Sequence, residues 1–347
     1  MLYIRTDMNK TIATGHVMRC LSIADAARQI GEETTFLLAD EQASELLEIR
    51  GYPYIILHTP WNEMELELSA LKETVRRHSI KRMLVDSYSV TQHYLESLSE
   101  VTEVYYLDDL NAFCYPVKGI ICYANYWEKF DYPGQYQDAK LYLGPKYVPL
   151  RREFCTVEKK QIKEKAENLL LMSGGTDPYD ILIKILNRLD KTMFQSIDVI
   201  CGVYHANYET LQEQFGAYPN ISIQKAVSDP ERYMRKADLA VSAGGTALYE
   251  LCAVGTPAIS YSMADNQLDN VKKFQEDGVI AYAGDIRSGD AVSAILRLVE
   301  QYRGDRKLRY DCSRKMLALV DGKGAERIAR ALLEGKEQQH EICLDLL

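Results

Sequence analysis

The sequence predicts an α/β protein built from two doubly wound domains, each a parallel sheet covered by helices. Three observations carry this expectation. Short apolar, β-rich runs alternate with amphipathic stretches from one end of the chain to the other, the pattern that helical crossovers between parallel strands produce. The length, 347 residues, suits two domains of ordinary size. The glycine-rich turns fall where a strand run ends and a helical pattern begins, the position at which open α/β sheets bind ligands.

In the first half, strands are expected at residues 2–6, 34–39, 54–57, 82–86, 104–107 and 118–122. Between them, residues 17–30, 41–50 and 64–78 place apolar side chains at spacings of three and four, which marks one face of a helix. The second half repeats the theme, with strands at 168–173, 196–201, 221–225, 239–242 and 258–261. Its helices are expected near 178–189, 206–215, 230–236, 246–254 and 266–276. Residues 290–335 read as purely helical. The domains are therefore taken as 1–150 and 151–335, joined through the charged stretch around 149–165 and followed by a polar tail, 336–347. Two such sheets side by side would leave a central cleft at the carboxyl ends of their strands.

Composition removes several function classes. With 41 Lys+Arg against 50 Asp+Glu and a formal charge of −9, the chain is a poor nucleic-acid binder. No apolar run is long enough to span a bilayer, and the first residues read as a strand rather than a signal peptide. The expected location is the cytoplasm. The eight cysteines contain no C-x-x-C, and the six histidines form no H-x₃-H pair. Reduced thiols and neither metal nor cofactor are expected. The expected partner is a small molecule bound by a monomer. Residues 1–150 carry 14 basic and 21 acidic residues, against 27 and 29 in the remainder, so an anionic ligand should prefer the second half.

The first candidate site is Asp7 through Cys20, which follows strand one and opens helix one. His16 lies at the helix mouth, where a general base is well placed, although a plain cap is the alternative. Gly15 is expected to let the backbone turn tightly before it. Arg19 is a cation in the first turn of a helix, against the macrodipole, so it needs an anionic partner, either Asp7 or a ligand. Asp7 could equally orient His16. Asp86-Ser87-Tyr88 and Asp108-Asp109 end further strands of the same half, as site residues or as turn formers.

Two glycine turns mark the second half. Ser173-Gly174-Gly175-Thr176-Asp177-Pro178 leads from a strand toward a helix, with Pro178 expected in the first helical turn and Asp177 as its cap. Ala243-Gly244-Gly245-Thr246 does the same, with the helix starting at about Thr246 and Glu250 one turn on. Glu250 is placed either to bond sugar hydroxyls or to face solvent. Together the two turns suggest a phosphate cradle, yet neither fits G-x-G-x-x-G or the P-loop pattern. Asn266 and Gln267, after the 258–261 strand, offer side-chain amides for hydroxyl or phosphate oxygens, with a plain helix cap as the alternative.

Taken together, I-x-x-G-H-x-x-R-C, D-S-Y, L-D-D, G-x-x-Y-x-x-L-R-x-E-F, S-G-G-T-D, A-G-G-T-x-x-x-E and N-Q resemble the UDP-sugar hydrolases of pseudaminic acid biosynthesis. These act on UDP-2,4-diacetamido-2,4,6-trideoxy-β-L-altropyranose and are related to proteins of spore coat polysaccharide synthesis. The resemblance runs from Tyr3 to about Gly278 with the motif order preserved. It implies the GT-B fold of two Rossmann-like domains, with the catalytic histidine in the first and UDP bound by the second. It further implies that His16 activates water, that Tyr88 and Asn266 lie near the sugar, that Gly244-Gly245 binds the diphosphate and that Glu250 meets the ribose. One departure stands out: Ala13 replaces the first glycine of the family's I-G-x-G-H. A glycosyltransferase that uses the same base on an acceptor hydroxyl, and a non-catalytic nucleotide-sugar binding protein, are the alternatives.

Overall fold

Every strand pair in both sheets is parallel, which is what the strand–helix alternation demands. The computed structural model describes residues 1–12, 14–155 and 160–333. Ala13, residues 156–159 and the tail 336–347 lie outside the described residues. The chain divides into two compact units. Unit 1 holds Met1–Tyr123, Trp127–Arg152 and the chain from Lys323; unit 2 holds Ala124–Tyr126 and Glu153–Gly322.

Unit 1 runs β1 (Leu2–Thr6), α1 (Gly15–Gln29), β2 (Thr34–Leu38), α2 (Ser44–Arg50), β3 (Tyr54–Ile56), α3 (Leu68–Arg77), β4 (Arg82–Asp86), α4 (Gln92–Ser99), β5 (Glu103–Leu107), β6 (Gly119–Cys122), α5 (Tyr132–Gln135) and β7 (Lys140–Leu143). Its seven-stranded sheet has the order β3-β2-β1-β4-β5-β6-β7. The chain winds outward from β1 to one edge, then returns to build the other side from β4. The order reverses between β1 and β4, and that gap is where a doubly wound sheet opens a binding crevice. The central strands are buried on both faces, so Leu2, Ile4, Leu84 and Val85 form apolar runs without strict alternation.

Unit 2 runs β8 (Asn168–Met172), α6 (Ile181–Arg188), β9 (Ser196–Cys201), α7 (Tyr208–Phe215), β10 (Ile221–Lys225), α8 (Pro230–Lys236), β11 (Leu239–Ala243), α9 (Ala247–Val254), β12 (Ala258–Ser262), α10 (Leu268–Glu276), β13 (Ala281–Asp285), α11 (Ala291–Gly304) and α12 (Arg306–Leu319). Its order, β10-β9-β8-β11-β12-β13, repeats the winding of unit 1, and its reversal lies between β8 and β11. β7 and β13 are strands that the pattern does not announce. Both lie at a sheet edge and are only partly buried, so neither needs a continuous apolar run.

The expected assignment of all the terminal helices to the second domain needs one correction. After α11 and α12, the last helix, α13 (Gly324–Leu333), belongs to unit 1 and packs on α1. Ile328, Ala329 and Leu332 form its buried stripe. Gly324 is required at its start, because a Cβ there would stand 2.1 Å from the Val148 carbonyl oxygen.

Candidate functional site

In unit 1 the order reversal brings the end of β4 beside the end of β1, with Thr6 and Asp86 paired in register. α1 starts just beyond. His16, its second residue, is buried, and its Nδ1 lies 2.7 Å from Oδ1 of Asp86. Arg19, one turn along the helix, binds the same carboxylate through Nε at 2.7 Å and Nη2 at 2.5 Å, and donates from Nη1 to the Tyr123 hydroxyl at 2.8 Å. Cys20 adds an S–H contact of 3.3 Å to Asp86 Oδ2. Asp86 is 1% exposed. Burial alone would raise its pKa, but the Arg19 guanidinium, followed by His16, holds the carboxyl well below the usual carboxylate range.

That charge state fixes the tautomer. An ionised carboxylate 2.7 Å from a ring nitrogen needs a proton between the two atoms, so Nδ1 carries the hydrogen. Arg19 Nη2, 3.0 Å from the same nitrogen, then directs its hydrogen to Asp86 instead. Nε2 has no hydrogen-bond partner among the described residues and is the nitrogen that bears the lone pair in the neutral ring. The arrangement is a base oriented by a buried carboxylate, the logic of a catalytic dyad. Removing one member of the Asp86–Arg19 pair would leave a buried charge unpaired, at a cost of about 3–5 kcal/mol.

Other expectations in this half change. Asp7 pairs with neither Arg19 nor His16. Its carboxylate accepts from Arg5 Nη1 at 2.5 Å and from the Ala39 N–H at 2.8 Å. Arg5 is itself fully buried and bidentate to Glu67, at 2.8 and 2.6 Å. Asp7 thus belongs to an internal ion cluster under the site. Gly15 is the first residue of α1, has no left-handed φ, and would meet nothing within 4 Å with a Cβ. The turn does not depend on glycine there. Tyr88 is half-exposed, sets its ring edge-on to His16 at 4.7 Å, and donates its hydroxyl to Asp109 at 2.8 Å. The ring therefore lies against the base.

The two glycine turns of unit 2 flank its order reversal, after β8 and after β11, but differ in detail. Gly174 has φ +81°, which only glycine adopts readily. Helix α6 starts at Ile181, later than expected, so Pro178 lies in the turn rather than in the helix. Asp177 does act as a cap: its two carboxylate oxygens accept from the N–H groups of Ile181 and Leu182, at 2.9 and 3.0 Å. The positive end of α6 is thereby already answered by a carboxylate.

At the second turn no side chain caps α9, whose N-cap is Thr246. Gly244 is committed on both sides: its N–H donates to Tyr261 O at 2.9 Å and its carbonyl accepts from Asn270 Nδ2 at 3.0 Å. Its Cβ position lies 2.3 Å from Cγ1 of Val271, so only glycine fits. Gly244 therefore has no backbone N–H left to offer a ligand. The N–H groups of Gly245 and Thr246 make no hydrogen bond among the described residues and stand at the uncapped helix mouth. Glu250 lies in the first turn of α9 and is half-buried. Asn266 is exposed, and Gln267 closes its own turn by accepting from the Met263 N–H at 2.9 Å.

Spacing gave no means of finding Asp86 as the partner of His16, or Asn270 and Tyr249 as neighbours of Gly244. The first pair is separated by 70 residues and meets only because β4 lies beside β1. Among the described residues there is no cluster of three or more His, Cys, Asp or Glu side chains that could hold a metal ion. No helix among them is long and apolar enough to cross a membrane.

Residues 166–322 match the model of a family described as a protein of unknown function (DUF354). Over 208 residues the chain is 26% identical to the spore coat polysaccharide biosynthesis protein SpsG of Bacillus subtilis (strain 168). The match covers 58% of this chain, and the chain spans only 60% of that relative's length. Among solved structures, MurG of Acinetobacter baumannii superposes with a TM-score of 0.69 at 13% identity, covering 96% of this chain and 99% of MurG. The UDP-GlcNAc 2-epimerase of Neisseria meningitidis bound to UDP-GlcNAc gives 0.67 at 10% identity, covering 96% of this chain and all of that one. The fold is that of two Rossmann-like domains, the GT-B fold.

Proposed function

We propose that this chain hydrolyses a UDP-linked diacetamido-trideoxy sugar to the free sugar and UDP. Nε2 of His16 takes a proton from water, and the water oxygen attacks the anomeric carbon. The bond from that carbon to the phosphate oxygen breaks, its electron pair leaves with UDP, and the sugar configuration inverts. The single observation that carries the reading is the 2.7 Å contact between His16 Nδ1 and buried, ionised Asp86, which leaves Nε2 as the basic nitrogen. UDP is already a good leaving group, so the chemistry needs charge stabilisation more than a strong acid. The N–H groups of Gly245 and Thr246 at the mouth of α9 suit that task. The likeness to a polysaccharide biosynthesis protein and to an epimerase bound to a UDP-sugar supports the substrate class.

A glycosyltransferase is the second reading, favoured by the glycosyltransferase-like fold, and the same base would then act on an acceptor hydroxyl. The discriminating experiment is UDP release from a panel of UDP-sugars, with and without acceptor sugars, by the wild type and by His16→Asn. Hydrolysis predicts release without an acceptor, and a variant that binds UDP but turns over about 10²–10⁴-fold more slowly. Release only with an acceptor would select the transferase. Unchanged turnover in His16→Asn would remove the proposed base.

A further inference from the structure

Gly244 O, which accepts from Asn270, and the Gly245 N–H belong to one peptide plane. A trans peptide points its C=O and N–H in opposite directions, so whatever holds the carbonyl also aims the N–H. A peptide between two glycines is the easiest to turn over, because neither flanking residue has a Cβ to restrict it. An unheld Gly244–Gly245 peptide would therefore sample both orientations, and only one presents its N–H at the mouth of α9.

The structure holds this peptide by a buried relay. Asn270, the third residue of α10, donates from Nδ2 to Gly244 O at 3.0 Å. Its Oδ1 accepts from the Tyr249 hydroxyl at 2.8 Å, which settles which end of the amide faces the glycine. The same hydroxyl accepts from the Asn125 backbone N–H at 2.9 Å, and of the two acceptors for its own hydrogen, Asn270 Oδ1 at 2.8 Å is nearer than Asn125 Oδ1 at 3.4 Å. Asn125 also donates from Nδ2 to the Asn270 carbonyl at 3.0 Å. Asn125, Tyr249 and Asn270 are all buried, and donors and acceptors run in one direction from residue 125 to the glycine turn. Such chains strengthen their members, and a member lost from a dry site leaves its neighbours unpaired.

We infer that Asn270 and Tyr249, with Asn125 behind them, are positioning residues that lock the Gly244–Gly245 peptide so that its N–H faces a phosphoryl group. The inference rests on the proposal that this turn receives the diphosphate of UDP. Residues 124–126 take part although their sequence neighbours on both sides belong to unit 1. None of the three residues needs to touch the ligand, which separates this role from that of the N–H donors.

The test is calorimetric binding of UDP and of uridine to the wild type, Tyr249→Phe and Asn125→Ala. Tyr249→Phe deletes one oxygen and keeps the ring, which packs at 5.1 Å on Phe274, so the fold should survive. Asn125→Ala keeps the backbone N–H that Tyr249 accepts and loses the side-chain bond from Nδ2 to the Asn270 carbonyl, which steadies the residue that holds the turn. We expect UDP affinity to fall about tenfold in Tyr249→Phe and about threefold in Asn125→Ala, with uridine affinity unchanged in both. A merely structural role would lower the melting temperature and leave the UDP-to-uridine ratio of the folded protein unaltered, and that result would overturn the inference. A wild type that binds uridine and UDP equally would instead sink the diphosphate assignment, and the inference with it.

Discussion

The two glycine turns of unit 2 have nearly the same sequence, S-G-G-T and A-G-G-T, and the same position in the winding, yet they are built for different ends. After β8, a left-handed Gly174 and a late helix start let Asp177 turn back and occupy the first N–H groups of α6. After β11, the helix starts three residues on, no side chain caps it, and Gly244 presses against Val271 while the next two N–H groups have no hydrogen-bond partner among the described residues. A carboxylate placed just before a helix neutralises the field that would attract a phosphate, and no side chain caps α9 in that way. On the function proposed above, a Gly-Gly turn serves as a phosphate cradle only where the chain does not supply its own anion.

The largest effect expected from this contrast lies in the glycines themselves. Gly244→Ala drives a methyl to 2.3 Å from Val271 Cγ1, in a fully buried and β-branched neighbour that cannot swing away. UDP affinity should fall about tenfold or more, with about 1–3 kcal/mol of stability lost to overpacking. Gly175→Ala meets nothing within 4 Å and has no left-handed φ. It should keep UDP affinity within about twofold, read by calorimetry on both variants. Equal damage from the two would erase the distinction. Asp177→Ala should cost about 1–2 kcal/mol of stability in denaturant unfolding, as a lost cap does, with little loss of UDP binding. A large loss of binding would bring the first turn back into the site.

The smallest effect is a pH dependence beneath the first turn. His205 is buried, and neither ring nitrogen has a hydrogen-bond partner among the described residues. Burial lowers its pKa; Asp177, Asp180 and Glu209 oppose the shift and Lys225 adds to it. With the folded value depressed, the unfolded chain takes up the proton first as pH falls. The contribution of this group is therefore present above the unfolded pKa of about 6.5 and declines below it. His205→Leu should flatten the acid side of a melting-temperature profile between about pH 7 and 5. An unchanged slope would mean that other groups carry it.

Much of this was legible in the sequence, for definite reasons. The central strands bury both faces, so their apolar runs announce them, while edge strands β7 and β13 lack that signal. His16 and Arg19 could be singled out because a cation at a helix mouth demands an anion. Which anion could not be read: Asp86 is set by strand order, and Asp7, closer in sequence, is taken by Arg5. The glycine turns were visible, but the difference between them depends on where each helix begins, which a proline at residue 178 misplaced by three residues. Asn270 and Tyr249 carry no motif and meet Gly244 only in three dimensions. The departure at Ala13 falls outside the described residues.

The central claim is that water, activated by His16, attacks carbon and not phosphorus. Hydrolysis of the UDP-sugar in ¹⁸O-labelled water, with mass analysis of both products, tests it most directly. The account predicts the label on the anomeric oxygen of the released sugar and unlabelled UDP. Label on the terminal phosphate of UDP would contradict it.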